Sequence, residues 1–308
     1  VRSGSSAQGP SDTLSRFVFE GAAVRGTRVC LSQTSQAILA SHPYPLSLKR
    51  VLAELTAAAA LLAAALKFDG RLSVQLVGEG PVRLIVVECN PTLALRATAQ
   101  WDEPRVRALP DDATLDRLAG GDMQARLAIT LDPRDAGPLY QGIVALETAS
   151  VAATIEHYMS TSEQVASKLA LVVDNGDVAG VLLQRMPASG PADDETWARA
   201  IAALAAATPD AIVEATNTDT GLANLFAEDD LRVFKASTPR FECSCSRTRV
   251  EGALRIAGRD EIEAALRNDG EVEVVCEFCG HEYTFAPDEA RALFPPASLA
   301  AIAPPTRH

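Results

Sequence analysis

Four of the six cysteines lie near the carboxyl end of the chain, Cys243 and Cys245 in "FECSCS" and Cys276 and Cys279 in "VVCEFCGHEY". The spacing is C-x-C, then 30 intervening residues, then C-x2-C. Four thiolates can surround a zinc ion tetrahedrally at about 2.3 Å, each close pair supplying one edge of the tetrahedron. These four residues are therefore the candidate ligands of one Zn2+ per chain. A closed site of four thiolates is compatible with a purely architectural role. The C-x-C pair adds a second chemistry, because a disulfide between residues two apart is strained and easily reduced, which suits a reversible switch. The spacing leaves both readings open.

The residues around the second pair fit a compact metal module. Gly280 directly follows Cys279 and permits a tight turn, while Val274, Val275, Phe278, Tyr283 and Phe285 are expected to form a small core around the ion. A segment of about 55 residues with so few large apolar groups needs a staple to fold, and the metal is the obvious one. His281 could replace a cysteine as ligand, but four thiolates already complete the set.

Other candidates have simpler explanations. Cys30 in "RVCLSQ" and Cys89 in "VVECN" sit in strand-like surroundings, where a lone cysteine behaves as a small buried hydrophobe. His42 and His157 have no nucleophile or glycine-rich phosphate loop at motif spacing, so no enzyme active site is predicted. The carboxylates of "PADDE" and "AEDDL" suit helix N-termini and solvated faces. C-x-x-C also raises a thiol oxidoreductase, yet the βαβ context of that class is missing around Cys276.

The elements that must carry this constellation come from the rest of the 308 residues, a length that predicts about two domains. Hydrophobic residues at 47% and charged residues at 22% place the chain among folded globular proteins. A net charge of −12 gives no footprint for nucleic acid or an anionic membrane, leaving proteins or small molecules as partners. The most lipid-like run, "LTAAAALLAAAL", is too short to span a bilayer. The first residues, "VRSGSSAQGPSD", lack an apolar targeting core and are expected to be a flexible leader. A reducing cytoplasm is the expected compartment, and it favours metal ligands or redox switches over structural disulfides.

The expected fold class is α+β. Residues 1–11 form the leader and residues 12–187 an N-terminal domain of sheet and helix. Residues 46–66 of that domain are predicted as a helix, followed by a hairpin in "RLSVQLVGEGPVRLIVVEC" and a third strand in "LRATAQW". Further strands are expected in "ARLAITL" and "YQGIVALE", and in two runs flanking Asn175 and Gly176, which suit a type I′ turn. At "PASGPADDE" the composition shifts, and residues 188–240 show helical spacing in "TWARAIAALAAA", "DAIVEAT" and "TGLANLFAEDDLRVF". Short helices of this kind are marginal alone, so their order depends on what they pack against. Residues 241–296 hold the four cysteines, and residues 297–308 form a proline-rich flexible tail.

"FECSCSRTRVEGAL" followed by "EVVCEFCGHEYTF" resembles the redox switch of the 33 kDa heat-shock chaperone family, redox-regulated bacterial holdases. "RFVFEGAAVRG", "LLAAALKFDGRLSVQLVGEGPVRLIVVECN", "YQGIVAL" and "GVLLQRMP" resemble that family's N-terminal domain. The resemblance implies an ATP-independent chaperone that is zinc-bound and inactive when reduced. On oxidation Cys243 would join Cys245 and Cys276 would join Cys279, zinc would leave, and the C-terminal and linker regions would unfold and bind unfolding proteins. It also implies a homodimer in the oxidised state. Trp197, Ile201, Leu204, Leu222, Leu225 and Phe226 are the client-binding candidates. The competing expectation is a constitutive binding protein whose zinc site is only structural.

Overall fold

The computed structural model describes residues 12–66, 69–121, 125–134, 137–187 and 190–294; the expected leader and tail lie outside the described residues. The chain divides into two compact units, Val1–Glu242 and Cys243–His308.

The first unit opens with a hairpin of β1 (Thr13–Phe19) and β2 (Val24–Leu31), followed by α1 (Gln33–Ala40) and α2 (Leu46–Ala65). Next come β3 (Gly70–Val77), β4 (Val82–Cys89), β5 (Ala94–Trp101), the short helices α3 (Glu103–Arg107) and α4 (Leu115–Ala119), β6 (Arg126–Pro133) and β7 (Tyr140–Ala145). Then follow α5 (Val151–Thr161), β8 (Ser167–Asp174), β9 (Asp177–Arg185), α6 (Pro191–Ala206), α7 (Pro209–Asn217), α8 (Asp219–Leu225), β10 (Leu231–Val233) and β11 (Arg240–Phe241). The strands form two sheets, ordered β10-β1-β2-β9-β8 and β11-β5-β4-β3-β6-β7.

The alanine-rich run becomes α2, which is buried on every side: Leu48, Val51, Leu52, Leu55 and Ala57 through Leu62 are all inaccessible. A helix apolar all round must be covered all round. Here β2, β8 and β9 cover it from one sheet and β3, β4 and β5 from the other. Small side chains let both sheets approach closely, so the most lipid-like run of the sequence is the centre of the first unit's core.

Strand alternation in the first sheet feeds a second core on its opposite face. Val29, Leu31, Val178 and Leu182 point to α2, whereas Phe17, Phe19, Val24, Ala179, Val181 and Leu183 point to the layer of α6, α7 and α8. Burial on both faces accounts for the unbroken apolar run of β9. Asn175 and Gly176 join β8 to β9 as a two-residue loop with φ of 49° and 91°, the left-handed pair a type I′ turn requires.

The run "LRVF" has helical spacing in the sequence, but Leu231–Val233 form β10 and pair with Phe17–Phe19. The open edge of β1 supplies backbone partners that outweigh local propensity. The short helices α6, α7 and α8, whose order depends on what they pack against, lie on the first sheet.

The second unit contains α9 (Arg247–Ala257), α10 (Arg259–Asp269), the hairpin β12 (Val272–Val275) and β13 (Glu282–Phe285), and α11 (Pro287–Ala292). Its core consists of Val250, Leu254, Ile262, Leu266, Val272, Phe285 and Ala290, with Val274 and Tyr283 at the margin. Val275 and Phe278 were expected in that core and are not part of it; Val275 is exposed. The cause is pairwise alternation, which turns Val272 inward and Glu273 and Val275 outward.

Candidate metal centre

The two cysteine pairs reach the centre on different backbones. Cys276 and Cys279 occupy the turn of the β12–β13 hairpin. The Cys276 amide donates to the His281 carbonyl at 2.9 Å and the Gly280 amide to the Cys276 carbonyl at 2.8 Å. Gly280 closes the turn at φ 69°, a left-handed value glycine adopts without cost. Cys243 and Cys245 lie on the extended segment ahead of α9. Ser246 caps that helix by accepting from the Arg249 amide, and the Arg249 guanidinium donates to the Ser244 carbonyl at 2.8 Å and the Ser244 hydroxyl at 2.6 Å. Arg249 thus clamps the residue between the two thiols.

The four sulfurs converge so that all lie within 4.8 Å of one another. Cys243 Sγ is 3.7 Å from Cys276 Sγ, and Cys245 Sγ is 3.5 Å from Cys279 Sγ. A tetrahedron of sulfurs about 2.3 Å from a central zinc has edges of about 3.8 Å. The observed spacings therefore fit that ion, and they exceed the roughly 2 Å of a disulfide. All six cysteines are free thiols. The four cysteines are positioned to hold a metal ion.

Tyr283 on β13 donates its hydroxyl to Cys245 Sγ at 3.2 Å and meets the His281 ring edge-on at 4.6 Å between centroids. Burial works against a charged Cys245, but hydrogen bonds from Tyr283 and the neighbouring thiols outweigh it and lower its pKa to about 7. Burial raises Cys243 and Cys279 instead. Tyr283 itself is pushed up to about 12, first by its bond to Cys245. One sulfur of the group thus carries negative charge most readily, and the phenol beside it stays a donor. The sequence reading gave Tyr283 only a packing role; its place on the strand leaving the C-x2-C turn is the signal that could have pointed to the sulfurs. His281 is not among the converging ligand atoms.

Elsewhere, Cys30 and Cys89 are buried, their thiols raised to about 11 and about 12 by desolvation, so both stay protonated and apolar. The "PADDE" carboxylates work at the start of α6: Asp193 accepts from the Ala23 amide at 2.7 Å and the Gly190 amide at 2.8 Å, and Asp194 pairs with Arg185. Asp229 of "AEDDL" pairs with Arg199. Among the apolar candidates, Leu204, Leu222 and Phe226 are buried in the helix–sheet core with Trp197 and Leu225 packed at its margin, while Ile201 is half-buried outside it. No helix among the described residues is long and apolar enough to cross a membrane.

Fold and site together define a two-unit α+β protein whose smaller unit gathers four thiols for a metal ion. The family profile described as Hsp33 protein matches residues 12–286. The 33 kDa chaperonin of Chromobacterium violaceum is 41% identical over 284 residues, covering 92% of this chain and 94% of the relative. That of Methylobacillus flagellatus is 38% identical over 288 residues, with coverages of 92% and 94%. The crystal structure of the 33 kDa chaperonin from Thermotoga maritima shares the fold at a TM-score of 0.77 and 20% identity, covering 92% of this chain and 97% of that one. The chain belongs to the Hsp33 family, a family of molecular chaperones and not of enzymes.

Proposed function

We propose that this protein is a cytoplasmic, ATP-independent holdase switched by oxidation of its four-cysteine centre. The observation that carries the reading is the convergence of Cys243, Cys245, Cys276 and Cys279 to within 4.8 Å in a unit whose own apolar core is small. In the reduced state the four thiolates would hold zinc, which when bound supplies on the order of 10–16 kcal/mol of folding free energy to modules of this size. That is comparable with a whole domain's stability of about 5–15 kcal/mol.

Thiolates are the form that peroxide or hypochlorous acid attacks. Cys243 and Cys245 would close one disulfide and Cys276 and Cys279 the other; each bond removes two electrons from a thiolate pair and reduces one peroxide to water. Each bond also withdraws two ligands, and with both closed no ligand remains. The unit would then lose its main stabilising term and unfold. Clients would bind apolar surface uncovered in that unit and, where the layer of α6, α7 and α8 also detaches from the first sheet on oxidation, surface around Trp197, Ile201, Leu204, Leu222, Leu225 and Phe226. The same uncovered surface would support homodimerisation of the oxidised form.

The test is a metal-to-protein ratio and a free-thiol count, before and after mild oxidation, alongside light scattering from a heat-unfolded test protein. One zinc and four thiols lost together, with scattering suppressed only after oxidation, is the expected result. Zinc retained after the thiols are consumed, or suppression independent of oxidation, overturns the switch in favour of a structural metal site.

A further inference from the structure

At the carboxyl end of α2, a cavity of about 380 Å³ opens against the β1–β2 hairpin. Arg16 and Arg25 line it, and among the described residues no carboxylate does. In a chain of net charge −12 that is a local reversal of sign. The strand register sets Arg16 opposite Thr27 and Arg25 opposite Val18, so the two arginines are diagonal neighbours on one face of the hairpin.

The two differ in how they are held. Arg25 donates through Nε to the Gln184 side chain at 3.0 Å and through Nη2 to the Ala65 carbonyl at 3.2 Å, which fixes its plane and caps the last turn of α2. Its Nη1 has no partner among the described residues. The Arg16 guanidinium makes no hydrogen bond or ion pair among them at all. Burial, and then the neighbouring charge of Arg16, pulls Arg25 below its ordinary value. Apart from Thr27 the remaining wall is apolar: Val18 and Leu66 within, and Met186 and Phe234 exposed at 41% and 43%.

We propose that this cavity binds a small organic carboxylate with an apolar body, its carboxylate bridging Arg16 and Arg25 and its hydrocarbon lying on Leu66, Met186 and Phe234. A guanidinium offers paired donors in the fork geometry a carboxylate accepts. Inorganic phosphate would satisfy the charges but leave the apolar wall wet, and a dianion costs more to desolvate beside it. All the lining residues belong to the first unit, whereas the four clustered cysteines belong to the second.

Calorimetric titration of the reduced full-length chain with octanoate tests this, with octanol and inorganic phosphate as comparison probes. Octanoate is expected to bind one per chain, about tenfold or more tighter than either comparison probe, with affinity falling as salt rises. Arg16→Gln is the cleanest variant because Arg16 has no internal partner to lose, and it should weaken octanoate by about tenfold while the circular dichroism stays unchanged. Arg25→Gln should weaken it too. Absence of octanoate binding, equal binding to Arg16→Gln, or octanol or phosphate matching octanoate would each overturn the proposal.

Discussion

Arg28 on β2 donates a hydrogen bond of 2.9 Å to the carbonyl of Ala215 in α7, so a buried cation of the sheet terminates a helix of the layer that covers it. The same guanidinium reaches the Thr218 carbonyl at 2.6 Å, the Ser15 hydroxyl at 2.8 Å and the exposed carboxylate of Asp219. It therefore binds the end of α7 and the start of α8 to the sheet at one point. The ion pair itself is half in water and worth little; the buried carbonyls are what depend on Arg28.

Arg28→Met should leave those carbonyls unpaired and cost about 2–4 kcal/mol of attachment of α7 and α8. The expected outcome is faster proteolysis within residues 209–225 and partial suppression of client aggregation in the reduced protein, with zinc content unchanged. A variant as protease-resistant and as inactive as the parent would show that the latch carries no free energy.

Asp193 fastens the other end of the layer. Its carboxylate accepts from the amides of Ala23 and Gly190, and these bonds lower its pKa from the ordinary value of 3.8. A carboxylate with a depressed folded-state value contributes stability that is complete above the unfolded value and is lost as pH falls through the folded one. Attachment of α6 should thus be constant at neutral pH and weaken only below about pH 4. Asp193→Asn should be loosened at every pH and show a smaller acid transition. Emission from Trp197, read in a Trp101→Phe background, reports the change; identical acid profiles for the two proteins would refute the assignment.

How much of this was legible in the sequence follows from how local each signal is. Each close cysteine pair, the Asn175–Gly176 turn and α2 are marked by neighbours within a few residues, and the structure brings the four sulfurs together and contains the turn and the helix. Pairing of β3 with β6, which sets Gly70 opposite Pro133, joins strands with no local mark of their partnership. The docking of α6, α7 and α8 on the first sheet is equally non-local, since Leu204 and Phe226 have the spacing of any amphipathic helix and only the apolar face of Phe17, Phe19 and Val181 decides where they go. α9 escaped detection because only Val250 and Leu254 are buried along a strongly charged run. The Tyr283 hydroxyl bond depends on a hairpin bringing β13 back past Cys245.

Phe285 tests the coupling between core and metal in the second unit. It is 1% exposed at the centre of the small core, and Arg247 lies over its ring at 4.2 Å. Phe285→Ala should remove about 3–5 kcal/mol of packing, and because the unit's folding and metal binding are linked, zinc affinity should fall by about two to four orders of magnitude. Competition with a chromogenic chelator measures it on the full chain. Unchanged affinity would mean that the four thiols grip the ion without help from the fold around them.

Tyr283→Phe separates the hydroxyl from the ring. The ring packs at the core margin and against His281, contacts phenylalanine can keep, whereas the 3.2 Å bond to Cys245 Sγ is lost. Hydrogen bonds from outside the ligand set hold a ligand in place and disperse its charge, and their removal costs about 10–100-fold in metal affinity. The variant should therefore bind one zinc per chain yet release it to a chelator at least about tenfold more readily than the parent, with the circular dichroism of both proteins the same. Losing the donor also concentrates charge on the Cys245 sulfur, so peroxide should consume its thiol faster while the metal is bound. Equal release and equal oxidation rates in the two proteins would reduce Tyr283 to a packing residue.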